Sequence, residues 1–294
     1  MTGLFVSLLA VLLASSTPIF IALAGSVMFV IWLGGNMPLA IVVERMFAGI
    51  DSFALMAIPF FILTGCLMGV GGLSRRIVNF ADLLVGRVTG GLGITAVASS
   101  MFFGAISGSS PATVVAVGGI LYPALREAGY RPNFAIGLII ASGSLGIIIP
   151  PSIVMIVYAA VTGVSVGALF MAGIGAGLVC GAVFMAYAVW HAKRHNIPRR
   201  QAPSWREVWT GLKDASWGLG VPLVILGGIY GGVFTPTEAA AASVIYALFV
   251  TVVIYREKTL GELWATLSGA AATTAQVMII LSAAAVLAWY LTSQ

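Results

Sequence analysis

The residues of this 294-residue chain whose types and spacing could do chemistry sit in two short polar interruptions of apolar sequence. The first is Ser107-Gly108-Ser109-Ser110-Pro111-Ala112-Thr113, at the centre of the stretch 101–123. Ser107, Ser109, Ser110 and Thr113 offer hydroxyl oxygens, and Gly104 and Gly108 leave the backbone approachable. The second is Gly146-Ile147-Ile148-Ile149-Pro150-Pro151-Ser152, preceded by Ser142 and Ser144. Two consecutive prolines remove two backbone donors and cannot continue an α-helix, which frees carbonyls around residues 146–149. Neutral oxygens of this kind suit a hard monovalent cation such as Na⁺, and carbonyls at the C-terminal end of a half-helix add a favourable dipole. The start of the segment after the first interruption, at Ser110, Pro111, Ala112 and Thr113, presents backbone N–H groups and the positive end of a helix dipole, which suits a carboxylate. No arginine or lysine lies in 92–125 or 134–161. Carboxylate recognition there would rest on backbone N–H groups, hydroxyls, bound Na⁺ or a partner. Serines and glycines also let helices pack and turn, so a purely structural use of the same residues stands beside the binding one.

The elements that must hold these residues are transmembrane. The chain is 60% hydrophobic and 8% charged, against roughly 25% charge in soluble domains. That composition excludes a soluble core and specifies an all-α integral membrane protein in a lipid bilayer. The net charge of +5 lies in short loops between apolar runs, so topology explains it rather than nucleic acid. Apolar runs at 4–14, 19–33, 53–68, 166–192, 217–233, 237–255 and 266–291 read as helices. Residues 38–50 and 71–91 are amphipathic and are expected to lie at the membrane surface. Residues 193–213 form a polar, basic link. The arms on either side of 107–113 are too short to cross a bilayer, which needs about 20 apolar residues. Exposed polar backbone at membrane depth survives only where it is buried in protein or lines a cavity. The segment 92–125 is therefore expected to be a re-entrant hairpin, and 134–161 a discontinuous helix.

Charge sets the orientation. The segments 73–91, 125–133, 193–214 and 256–262 hold every Lys and Arg except Arg45, and the positive-inside rule places them in the cytoplasm. The partition works only if 92–125 enters and leaves from the same side. A repeat appears at an offset of 218: Thr17-Pro18 before an Ala-rich span matches Thr235-Pro236 before another. The matched elements run in opposite directions, the inverted-repeat pattern of secondary transporters. The domain reading is a first repeat over 1–192, a cytoplasmic link over 193–214 and an incomplete second repeat over 215–294, with its own hairpin and broken helix lacking.

Other reactive residue types carry less. Cys66 and Cys180 are dispersed within apolar spans, which argues against a disulfide framework or metal cluster. His191 and His195 end a span and are expected to face solvent or headgroups. Thr235-Pro236-Thr237-Glu238 has the form of a capping box, with Glu238 either a helix cap or a functional acid. No nucleotide loop, metal cluster or Ser/His/Asp set is present, so the chain is not read as an enzyme and no cofactor is expected.

The motifs GAISGSSPAT at 104–113, LGIIIPPS at 145–152 and GGVFTPTEAAA at 231–241 closely resemble the large membrane subunit of tripartite ATP-independent periplasmic (TRAP) transporters. The resemblance covers nearly the whole chain. It implies an elevator-type secondary transporter, multi-pass in the bacterial inner membrane, that imports organic acids such as C4-dicarboxylates or sialic acid with Na⁺ as coupling ion. The implied partners are a small four-helix membrane subunit and a periplasmic substrate-binding protein. Carried over by motif, one Na⁺ site would join the tip at 107–110 (Ser107, Gly108, Ser109) to the break at 146–150 (Gly146, Ile147, Ile149). The family's large subunit continues past the equivalent of Gln294, so the sequence is expected to be a C-terminally truncated permease. The alternatives are a transport-inactive fragment or a membrane scaffold that keeps partner contacts.

Overall fold

A computed structural model describes residues 2–35, 37–69, 72–198, 204–256 and 259–293, and every regular element among them is helical. In chain order these are α1 (Thr2–Ala14), α2 (Ile19–Gly34), α3 (Ala40–Ala48), α4 (Ala57–Gly69), α5 (Leu73–Val85), α6 (Gly91–Ser107), α7 (Ser110–Glu127), α8 (Pro132–Gly143), α9 (Ile153–Thr162), α10 (Val166–Arg194), α11 (Trp205–Tyr230), α12 (Pro236–Phe249) and α13 (Leu260–Ser293). Among the described residues four helices, Val166–Arg194, Trp205–Tyr230, Pro236–Ile254 and Gly261–Ser293, are long and apolar enough to cross a membrane. Large apolar side chains such as Val115, Val161, Leu223 and Ile245 are more than 70% exposed. Surfaces this apolar belong in lipid, so the chain is a multi-pass integral membrane protein.

The chain divides into two compact units, one of residues 1–55 and 271–294, the other of residues 56–270. The first gathers α1, α2, α3 and the end of α13 around Phe5, Val27, Val30, Ile31, Val42, Val286 and Tyr290. The Phe5 and Tyr290 rings lie 5.2 Å apart, and Arg45 sits over the Trp289 ring at 5.1 Å. The amphipathic stretch 38–50 buries Val42 on protein, while Leu39, Val43 and Phe47 stay exposed.

The second unit is built around α6, of whose 17 residues only Met101 and Phe102 are not buried. Helices α4, α5, α7, α8 and α10 all pack on it. Small residues let α4 and α12 lie close, with Thr64 and Ser243 sharing a buried hydrogen bond of 2.9 Å. The helix expected from 71–91 is α5, with Leu73, Ile77, Val78, Phe80 and Ala81 buried. That face meets α6 and α11 instead of lipid, and Leu73 fills the space left by the missing side chain of Gly218. Periodicity reveals an apolar face and cannot tell a lipid cover from a protein one.

Two further differences have local causes. The link expected over 193–213 is helical from Trp205 onward, started by a capping box in which Ser204 Oγ accepts from Glu207 N and the Glu207 carboxylate accepts from Ser204 N. His191 is only 6% exposed, stacked between Phe134 at 3.5 Å and His195 at 4.1 Å. Aromatic stacking has drawn it out of the solvated position that its span-end location suggested.

The second capping box forms as the sequence predicts. Thr235 Oγ1 accepts from Glu238 N, and the Glu238 carboxylate accepts from Thr235 N at 2.8 Å and from Thr235 Oγ1 at 2.8 Å. The Glu238 carboxylate is thus engaged by its own cap. Glu238→Ala is expected to cost about 1 kcal/mol of stability in denaturant melts in detergent, and to leave any Na⁺-dependent stabilisation unchanged.

Candidate functional site

Gly108 ends α6 in the left-handed conformation, φ 59°, with its N–H bonded to Gly104 O at 2.9 Å. A side chain would strain that backbone, so glycine lets the chain reverse here. Ser109 is extended, and α7 starts at Ser110 with Pro111 in its first turn. The result is a helical hairpin, α6–α7. At about 25 Å, estimated from 17 residues at 1.5 Å each, the α6 arm is longer than the apolar run in the sequence implied.

The second interruption is also formed. Helix α8 tightens into a 3₁₀ turn at Ser144–Ile147 and the chain breaks before α9, whose cap is Ser152. Ser152 Oγ donates to Ile147 O at 2.7 Å across the break and is fully buried. It holds the two half-helices in register.

The two interruptions pack face to face, and glycine makes the approach possible. A Cβ on Gly104 would lie 2.7 Å from Gly146 Cα and 3.1 Å from Gly146 N. A Cβ on Gly146 would lie 2.7 Å from Thr113 Oγ1 and 3.0 Å from Ser109 O. One on Gly108 would lie 2.8 Å from Pro151 O. Within the tip, Ser107 Oγ and Thr113 Oγ1 are 3.1 Å apart, and Ser109 O accepts from Thr113 Oγ1 at 2.8 Å and from Ser107 Oγ at 3.3 Å. Ser107 and Thr113 are 4% and 0% exposed. Three oxygens therefore cluster, protected from solvent, against the backbone of Gly146.

The structure thus brings together Ser107, Gly108, Ser109, Thr113 and Gly146. Ile147 stands beside them, with its carbonyl engaged by Ser152. The side chain of Ile149 fills the gap at Gly177 on α10. Pro111 and Ala112 are exposed at the start of α7, and Ser110 is half-buried. Two supporting positions escaped the sequence reading. Gly65 of α4 backs the tip, where a Cβ would lie 3.1 Å from Ser107 Cα. Ser100 of α6 donates to Ser142 of α8 at 3.1 Å, fastening hairpin to broken helix. A glycine inside an apolar span was the only signal for Gly65.

Residues 6–294 match the family model described as tripartite ATP-independent periplasmic transporter, DctM component. The chain belongs to this TRAP transporter family. It is 42% identical over 290 residues to the C4-dicarboxylate TRAP transporter large permease protein DctM of Rhodobacter capsulatus, covering 94% of this chain and 66% of the relative. It is 46% identical over 252 residues to the 2,3-diketo-L-gulonate TRAP transporter large permease protein YiaN of Escherichia coli, covering 86% and 59%. It is 38% identical over 291 residues to the ectoine TRAP transporter large permease protein TeaC of Halomonas elongata, covering 98% and 68%. The chain thus spans less than two thirds of the first two relatives. A TRAP large permease is a transport protein and not an enzyme. The hairpin tip and the double-proline break lie within the matched region.

Proposed function

We propose that this TRAP permease chain carries part of a Na⁺-coupled importer of organic acids, C4-dicarboxylate or sialic-acid-like carboxylates among them. It would work in the bacterial inner membrane with a small four-helix membrane subunit and a periplasmic binding protein that delivers the substrate. The observation that carries this reading is the apposition of tip and break. Ser107 Oγ, Thr113 Oγ1 and Ser109 O lie within 3.3 Å of one another along their hydrogen bonds. Right-angle ligands around a hard cation with oxygens at about 2.4 Å would be about 3.4 Å apart. Carbonyls of the break at Gly146 and Ile147 would complete the shell.

The chemistry of coupling follows from the neutrality of the site. The tip and break supply no ionised side chain, so a bound Na⁺ keeps its charge. That charge attracts a carboxylate placed at the open start of α7, near Ser110, Pro111, Ala112 and Thr113, where the helix dipole points the same way. Removing the ion removes much of the attraction, which ties substrate to gradient. The hairpin would enter and leave the membrane on one side, and the α1–α2 and α11–α12 pairs would be the matched halves of inverted repeats. Tip, break and their supports would travel together in an elevator-type movement.

The reading is tested by uptake into vesicles containing the chain with both partners. Acidic solute is expected to accumulate only with an inward Na⁺ gradient; uptake indifferent to that gradient overturns the coupling. Linkage adds a second expectation. Na⁺ should tighten substrate affinity, and substrate should tighten Na⁺ affinity by the same factor, both readable by calorimetry. A substrate affinity that is the same with and without Na⁺ would overturn the coupling.

A further inference from the structure

A second polar site lies in the same unit, about one turn beyond the tip, where α4 ends at Gly69. A pocket of about 350 Å³ opens between α4, α5 and α7, lined by Gly69, Gly72, Ser74, Arg75, Ala116 and Ile120. Its size is that of a small-ligand pocket. Two of its features favour negative charge. It sits at the start of α5, a 13-residue helix whose N-cap Gly72 supplies no side-chain cap. The first-turn N–H groups and the positive dipole end therefore face this region. Arg75 is exposed and adds a guanidinium, and no Asp or Glu is among the described lining residues.

The third feature is independent of the helix end. Ser74 is only 7% exposed, and among the described residues its Oγ has no hydrogen-bond partner. Burying a hydroxyl without a partner costs about 1–3 kcal/mol, and native proteins rarely leave one so. An alanine would fit the same place without that cost. A ligand oxygen in the pocket would complete the bond, with Arg75 and the first-turn N–H groups around it.

We propose that Ser74, Arg75 and the α5 N-terminus form a binding site for a phosphate-type oxyanion, carried either by a phospholipid headgroup or by a free phosphate. None of its lining residues belongs to the oxygen cluster of the hairpin tip, and the proposal does not depend on Na⁺ coupling.

The test uses the full chain, purified and delipidated in detergent, with melting temperature read against ligand concentration. One arm titrates inorganic phosphate against chloride at matched ionic strength. The other titrates phosphatidylglycerol against diacylglycerol, which has the same chains and no phosphate. Stabilisation by phosphate assigns a free anion, and stabilisation by phosphatidylglycerol alone assigns the headgroup. In whichever arm binds, Ser74→Ala and Arg75→Gln should each weaken apparent affinity about tenfold, the equivalent of one charge-assisted hydrogen bond. Arg87→Gln, outside the pocket, should leave it unchanged. Without ligand, Ser74→Ala should melt at or above the wild-type temperature, because it deletes an unpaired hydroxyl. Absence of binding in both arms, or binding that survives both pocket variants, overturns the proposal.

Discussion

Gly104→Ala is expected to lower the stability of the chain by about 2–3 kcal/mol, the cost of overpacking a site that cannot yield. The added Cβ would lie 2.7 Å from Gly146 Cα and 3.1 Å from Gly146 N. Both are backbone atoms, so no side chain can rotate out of the way. The hairpin and the broken helix must part by several tenths of an ångström, and the oxygen cluster parts with them. Gly137→Ala supplies the contrast within α8, since a Cβ there meets nothing within 4 Å. In a helix interior that change should be neutral or stabilising by up to about 1 kcal/mol. Denaturant melts in detergent read both, and the expected signs are opposite. Similar small effects at the two positions would show that close approach of tip and break is not required for the fold.

Removing the hydroxyls of the tip is expected to have the largest effect on ion binding. Ser107→Ala should weaken apparent Na⁺ affinity about tenfold, the loss of roughly 1.4 kcal/mol from one ligand. Ser107→Ala combined with Thr113→Val should abolish Na⁺-specific stabilisation, because each hydroxyl also positions the other at 3.1 Å. Ser109→Ala should change little, since Ser109 presents its backbone carbonyl to the cluster. Na⁺ titrations against K⁺, followed by melting temperature, order the three variants. Equal loss at Ser107 and Ser109 would move the ion out of the cluster seen here.

Much of the hairpin and the break is legible in the sequence. Gly108 and Pro111 punctuate an apolar run, and Pro150-Pro151 ends a helix, for backbone reasons that need no tertiary context. Thr235 and Glu238 announced a cap that is formed as written. Partners were less legible. The apolar stripe of α5 was plain, yet a stripe reads the same whether lipid or another helix covers it. Lipid tails and leucine are equally apolar. The first turns of α11 read as part of a polar, basic link because such residues fill them, although Ser204 and Glu207 carry the same capping signal as Thr235 and Glu238. Gly65 is marked in the sequence only as a glycine inside an apolar span. Its use depends on which helix passes behind Ser107, and that is a fact of packing.

The central claim is that tip and break form one Na⁺ site. Hydrogen exchange on the purified chain, in Na⁺ and in K⁺ at equal ionic strength, tests it most directly. Peptides covering 101–113 and 144–153 should slow together in Na⁺, while those from α10 and α11 stay unchanged, and Ser107→Ala with Thr113→Val should erase the difference. Equal exchange in the two salts, or Na⁺ protection of one interruption without the other, would contradict the account.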